Sequence, residues 1–262
     1  TGGWDGFYGH MLPARPGAPT DPFTTYSQYH GPWGIAVNLY GRRFTDETRG
    51  RFTKYDGEGI PLGGGEMTLN QEASRQPEAT AAYIWDGPVN EARACENCGL
   101  GGMDKYPAYI KAGSPVAKAD TLRDLAAQME RWNVGMSAET IMGELTEYNR
   151  AAENGKAWAL PIPKAVTQNA VPIKEPPFYS VLGTAGITAT FGGLRVNSQC
   201  QVISRTGRPI RGLYAAGVDI GNYSNYVYLG NLILGAASGY WSGTNAARQP
   251  EPQGGWEPVL TA

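Results

Sequence analysis

A chain of 262 residues with 41% hydrophobic and 18% charged side chains can fill one large core or two modest ones, and it lacks the composition of a disordered polymer. Its formal net charge of −2 offers no broad field to DNA or RNA, and no uninterrupted apolar run approaches the roughly 20 residues of a membrane helix, so neither nucleic acid nor a bilayer is expected as partner. Three Cys, an odd number, argue against a disulfide framework, and no leader pattern opens the chain; the expected compartment is the cytoplasm.

Gly (36) and Pro (19) make up about a fifth of the residues, so short elements and long connections are expected. The chain divides into three zones. Residues 1–33 are rich in Gly, Pro and aromatics without helical period and read as a lead-in segment. Residues 34–174 read as a compact α+β unit, and residues 175–262 turn β-rich and Gly-rich before one apolar helix.

In the middle zone Gly34–Asn38 reads as a short strand that turns at 39–41 and returns through Arg42-Arg43-Phe44. Leu122, Leu125, Ala126, Met129 and Trp132 recur at helical spacing behind Asp120, the expected N-cap. Ser137 caps a second helix with the stripe Ile141, Leu145 and Tyr148, stopped by Asn154-Gly155. Both stripes read as core packing. In the last zone, residues 193–197 and 201–203 read as strands, 207–209 as a turn, and 212–217 as a buried strand. Residues 230–246 read as a helix of small and apolar residues that packs closely inside a domain.

The best chemical signal is the order strand, Gly217, Gly- and Tyr-rich loop, helix start at Gly230-Asn231-Leu232. A helix start offers unpaired N–H groups and the positive end of its dipole, and glycine lets a flat ring approach the backbone. From spacing alone an ordinary strand–loop–helix crossover fits equally well. Cys95-Glu96-Asn97-Cys98 has the spacing of a zinc or redox pair, but zinc needs about four ligands and the third Cys is distant at 200; the pair reads as structural, and no metal is expected.

Resemblance separates these readings. Pro177-Phe178-Tyr179, Gly186-Ile187-Thr188, Thr190 to Val196, and Pro209 to Gly217 resemble the closing segment of fumarate reductase-type flavoproteins. Gly34 to Asn38 with Gly41-Arg42-Arg43-Phe44-Thr45-Asp46-Glu47 resembles the signature of their capping domain; Asp120 to Ala126 and Tyr148-Asn149 are similar to further cap helices. The tricarballylate dehydrogenase and 3-ketosteroid dehydrogenase branches look nearer than the respiratory succinate dehydrogenases. The implied fold is an α+β capping domain at 34–174, followed at 175–262 by the C-terminal, β-rich part of an α/β, Rossmann-like FAD-binding domain.

Chemically, the resemblance implies an FAD-dependent oxidoreductase acting on CH–CH groups, at a carbon–carbon bond beside a carbonyl or carboxylate of a small molecule. Counting from Phe44, the family's proton-donating Arg falls on Arg51, with Arg49 beside it. His10 stands roughly where the family has a substrate-binding His. Tyr228 replaces the Arg of the fumarate reductase closing loop and resembles the Tyr that assists enolisation in ketosteroid dehydrogenases. Gly217, Asp219, Gly230, Asn231 and Leu232 are the implied flavin contacts, Asp219 standing for the family's usual Glu near the ribityl chain. One family element is absent: no strand–G-x-G-x-x-G–helix unit for the FAD diphosphate occurs in the chain. An N-terminal FAD-binding half or second chain is therefore the expected partner. The alternative is a non-catalytic remnant or binding module that does not hold FAD by itself.

Overall fold

A computed structural model describes residues 6–14, 26–28, 30–48, 52–53, 59–60, 64–92, 105–223 and 230–250. In chain order the strands are β1 Phe7–Tyr8, β2 Met11–Pro13, β3 Ile35–Val37, β4 Phe52–Thr53, β5 Gly59–Ile60, β6 Thr80–Trp85, β7 Val116–Ala119, β8 Phe178–Ala185, β9 Ala189–Thr190, β10 Gln201–Ile203 and β11 Pro209–Tyr214. The helices are α1 Gly64–Ala73, α2 Gly87–Ala92, α3 Lys105–Ala112, α4 Leu122–Glu130, α5 Ala138–Glu153 and α6 Asn231–Arg248, with short 3₁₀ turns between. The chain divides into two units, Tyr8–Thr188 and Ala189–Ala262, the latter with Thr1–Phe7. None of the described helices is long and apolar enough to cross a membrane.

The larger unit is built on an antiparallel sheet. β8 is its long strand: β6 and then β3 lie along one edge, while β2 and β7 pair end to end along the other. Ala82, Ile84, Phe178 and Leu182 face α4 and α5, meeting Leu125, Ala126, Met129, Ile141, Leu145 and Tyr148. Ala81, Tyr83, Trp85, Tyr179 and Val181 face the other way, against Leu69, Ala73, Val89 and Tyr109. Because helices cover both faces, every residue of β6 is buried, and its run Thr-Ala-Ala-Tyr-Ile-Trp lacks the polar alternation of a half-exposed strand. Each large apolar side chain so buried contributes about 1.5–3 kcal/mol.

The expected caps hold with one correction. Ser137 Oγ accepts from Thr140 N, and Asn154-Gly155 ends α5, Gly155 standing at φ +64°. At α4, however, Thr121 and not Asp120 is the N-cap: its backbone is extended, and its hydroxyl accepts from Asp124 N and donates to the Asp124 carboxylate.

The larger unit continues past residue 174 to Thr188, since β8 pairs with β2, β6 and β7. The lead-in segment also contributes β2 to this sheet. In the smaller unit β10 and β11 pair across a turn at Gly207 (φ +81°), whereas residues 193–197 make only isolated bridges at Leu194 and Val196. Two further expectations change. β11 ends at Tyr214 and is exposed along most of its length, with Leu213 at 43%. Only Ser242 of α6 is buried, and Leu232 and Ile233 stand 86% and 76% exposed. The reason is core size: the buried cluster here is Cys200, Val202, Ala215 and Ile220, too little to cover a hairpin and an eighteen-residue helix.

Candidate functional site

The signature segment is locked from within. Arg43 donates Nε–H to Glu47 Oε1 at 3.0 Å and Nη2–H to Oε2 at 2.6 Å, and its Nη1 reaches the Ile162 carbonyl at 2.7 Å. Glu47 Oε1 also accepts Ala36 N–H in β3. Lys164, fully buried, donates to the carbonyls of Pro32 and Gly34 and sits 3.9 Å from Glu47. The Tyr148 ring lies 5.5 Å from the Arg43 guanidinium and 5.1 Å from the Lys164 ammonium. A second carboxylate ties the far end: Asp46 accepts from Thr48 and from Ala165 N, and Thr48 Oγ1 accepts from Val166 N. The segment from Arg43 to Thr48 is thus tied to residues about 120 positions away, at Ile162, Ala165 and Val166. Arg49 and Arg51 come next in sequence and lie outside the described residues.

Charge burial in this cluster is compensated. Burial pushes the Glu47 carboxyl up, but Arg43 and Lys164 outweigh it and hold the group below the ordinary range. Lys164 is pushed down to about 8, chiefly by burial, with Glu47 opposing. Between that value and the ordinary 10.5 the unfolded chain keeps a proton that the folded chain has released, so this group's contribution to stability rises with pH. We expect wild type to gain on Lys164→Met by up to about 1.4 kcal/mol per pH unit between about pH 8 and 9.5, in paired denaturant titrations. Parallel curves would show that Lys164 does not titrate there. Beside this cluster a cavity of about 260 Å³ opens between Arg42, Glu144, Glu147 and Leu160; none of the described residues nominated from sequence lines it.

His10 is buried at 3% exposure and both ring nitrogens are engaged: Nε2 lies 2.8 Å from the Tyr8 hydroxyl and Nδ1 3.0 Å from Ser27 Oγ. The backbone around it is pinned, since Gly186 N donates to the His10 carbonyl and Thr188 N to that of Tyr8. His30, the other His, is buried with neither ring nitrogen hydrogen-bonded among the described residues; it packs edge-on to Trp85 and is pushed down to about 3 by burial and by Lys105.

The residues nominated as flavin contacts all lie in the smaller unit. Gly217 (φ +61°) and Gly230 (φ +89°) use backbone that side chains resist. The turn Gly217–Asp219 is held to α6 by the hydrogen bond from Gly217 N to Ser238 Oγ at 2.8 Å. Asp219 is exposed, its carbonyl accepting Leu194 N–H at 2.7 Å. At the start of α6, Gly230 provides no side-chain cap and the first turn holds no acidic residue, so the helix itself does not neutralise its positive backbone end. Asn231 accepts from the Tyr223 hydroxyl, and Leu232 points to solvent. Tyr228 lies outside the described residues, as do Cys95 and Cys98. Cys200 is buried, and burial pushes its thiol up, away from thiolate chemistry. Among the described residues no group of three or more His, Cys, Asp or Glu could hold a metal.

Residues 13–231 match the family described as "FAD binding domain". The chain belongs to that family. Its cofactor is FAD, and the positive-φ glycine at 217 with the uncapped start of α6 fits a flat ring that gains negative charge at its pyrimidine end on reduction. Among characterised relatives, a vinyl phenol reductase of Lactiplantibacillus plantarum is 31% identical over 227 residues, which cover 81% of this chain and 41% of the relative. The fold is similar to that of a flavocytochrome c3 fumarate reductase (TM-score 0.55, 23% identity, 93% of this chain and 36% of the other). It is similar too to a 3-ketosteroid Δ1-dehydrogenase from Sterolibacterium denitrificans (TM-score 0.56, 22% identity, 94% and 44%). The chain thus spans less than half the length of each of these three proteins.

Sequence reasoning missed Lys164, Tyr8 and Ser27. Lys164 meets carbonyls about 130 positions away in sequence, a contact with no local signal. The Tyr8–His10 pair could have been found: residues i and i+2 of an extended segment share a face.

Proposed function

We propose that this chain is the substrate-capping and flavin-covering part of an FAD-dependent oxidoreductase acting on a carbon–carbon bond adjacent to a carbonyl or carboxylate. The observation that carries it is the family match, which runs through both units, from the β2 strand to the first residue of α6. The fumarate reductase and ketosteroid dehydrogenase folds support the substrate class, each name describing an unsaturated or saturable bond beside an oxygen-bearing carbon. In this reading the 34–174 region is the capping domain, and a further FAD-binding half or second chain binds the diphosphate. The exposed apolar residues of α6, Leu232, Ile233 and Tyr240, support such a partner.

When bound, FAD supplies hydride exchange at its N5. The chain's own residues would do the rest: Arg51, with Arg49, delivers a proton or clamps an anionic substrate, His10 belongs to the substrate side, and Tyr228 donates to the carbonyl as it gains negative charge.

The test uses the complete protein, reduced with dithionite in the absence of air and mixed with fumarate or cyclohex-2-enone. Return of the visible flavin band with either compound is the expected result. A protein that retains no flavin, or one whose flavin stays bleached with both, would sink the reading. In the same assay Tyr228→Phe should slow the return about tenfold with flavin still bound, the loss of one hydrogen bond. Arg51→Ala should be more damaging than Arg49→Ala; a reversed order would show that the two roles are exchanged.

A further inference from the structure

Two cavities lie between α5 and the segment that follows it, both within the larger unit. The first, of about 260 Å³, is bounded by Arg42, Glu144, Glu147, Leu160 and Ile162. The second, of about 360 Å³, is bounded by Glu147, Arg150, Asn154, Lys156 and Leu160. Glu147 and Leu160 line both, so the two form one groove. Volumes near 300 Å³ stand at the lower end of the range that holds small ligands. Its walls are fixed in place. Arg43 Nη1 donates to the Ile162 carbonyl at 2.7 Å, and Lys164 N donates to the Ala157 carbonyl at 3.0 Å. On the other side α5 is anchored by Ile141, Leu145 and Tyr148, all buried in the core.

Charge along the groove is ordered. Residues of a helix rise about 1.5 Å each and neighbours at i and i+3 share a face, so Glu144, Glu147 and Arg150 follow one another at intervals of about 4.5 Å. Lys156 lies beyond the end of α5. Glu144 is half-buried and has Arg42 at 4.0 Å. Burial pushes its carboxyl up and the neighbouring Glu147 adds to this, while Arg43 and Arg42 oppose. The side chains of Glu147, Arg150 and Lys156 make neither ion pair nor hydrogen bond among the described residues. Leu160, Pro161 and Ile162 supply apolar surface, and the Tyr148 hydroxyl is spent on the Val171 carbonyl at 2.8 Å. One end of the groove thus carries uncompensated negative charge and the other uncompensated positive charge, with apolar side chains beside them.

We propose that this groove binds a zwitterionic small molecule, its ammonium between Glu144 and Glu147, its carboxylate at Arg150 and Lys156, and its hydrocarbon linker along Leu160. From midway between the two glutamates to Arg150 is about 7 Å along the helix axis, which sets the separation of the ligand's charges. An ω-amino acid with five methylene groups between nitrogen and carboxyl meets that span. An α-amino acid, with both groups on one carbon, does not. The inference goes beyond the flavin reading and does not rest on it.

Calorimetric titration of the complete protein with 6-aminohexanoate, hexylamine and hexanoate tests it. Saturable binding of the amino acid is expected, about fivefold tighter than that of either analogue, the worth of one exposed ion pair. Glu147→Gln and Arg150→Gln should each weaken it by about the same factor. Both should leave the melting temperature within about 2 °C of wild type, since surface substitutions of this kind change stability little. Wild-type protein that does not bind 6-aminohexanoate overturns the proposal, as would be seen if another part of the protein fills the groove. Binding that neither variant weakens also overturns it, because the site then lies elsewhere. Equal affinity for hexylamine or for hexanoate removes one of the two charged ends and with it the zwitterion.

Discussion

Glu47→Gln is expected to destabilise the protein by about 3 kcal/mol or more, the loss seen when one partner of a buried ion pair is removed. Glu47 is completely buried, its two oxygens receive Arg43 and Ala36 N–H, and Lys164 stands 3.9 Å away. An amide is nearly isosteric, so packing is kept. The variant loses the negative charge that compensates two buried cations, and one acceptor becomes a donor facing them. For a chain of this size the melting temperature should fall by about 6–12 °C. The pair between exposed Arg42 and half-buried Glu144, 4.0 Å apart, makes the contrast: Arg42→Ala should change stability by less than about 1 kcal/mol. A melting temperature for Glu47→Gln within about 2 °C of wild type, on the order of 0.5 kcal/mol, would mean that the cluster is not dry. The pH dependence has a defined sign. A carboxyl held below its ordinary range contributes stability above its unfolded pKa and loses it as pH falls through the folded value, so the gap between wild type and variant should narrow in acid.

Gly9→Ala should be comparably damaging, for a steric reason. A Cβ at Gly9 would stand 1.8 Å from the Gly186 carbonyl oxygen and 2.8 Å from Asn70 Nδ2, distances no rotamer change can relieve because the nearest atom is backbone. The chain around residue 9 would have to leave residue 186, breaking the bonds from Gly186 N to the His10 carbonyl and from Thr188 N to the Tyr8 carbonyl. Overpacking of this kind costs about 3 kcal/mol. Because His10 adjoins the glycine, binding of carbonyl ligands should weaken as well, by about tenfold or more if the lost contact is worth about 1.4 kcal/mol. Denaturant unfolding with ligand titration separates the two effects. A variant of normal stability would show that the strand accommodates the methyl group by a shift, and normal ligand affinity in it would detach this region from the site.

How legible was all this in the residues alone? The helices α4 and α5 were, because their 3.6-residue stripes, the Ser137 cap and the Asn154-Gly155 stop are local features whose physics needs no distant partner. Thr121 displaced Asp120 as cap because two adjacent residues can both serve, and the backbone path selects between them. β6 escaped notice since a short continuous apolar run has no period to distinguish a doubly covered strand from a helix. β8 was not read as a strand for a related reason: its membership of a sheet is decided by β2, β6 and β7, all far away in sequence.

For the candidate site the division is similar. The segments Gly34 to Glu47 and Pro209 to Gly217 announced the flavoprotein family through their resemblance to its motifs, where spacing alone did not decide, and the family match bears this out. The sequence by itself determined which segments fold locally, which turns require glycine, and to which family the chain belongs. Tertiary structure alone decided that Arg43 and Glu47 spend their charge on each other and on Lys164, that His10 is shared between Tyr8 and Ser27, and that α6 keeps its apolar side chains in solvent. The reason is one of range. Propensities, caps and turns act within about four residues, whereas burial and charge compensation depend on which remote segments arrive at the same place.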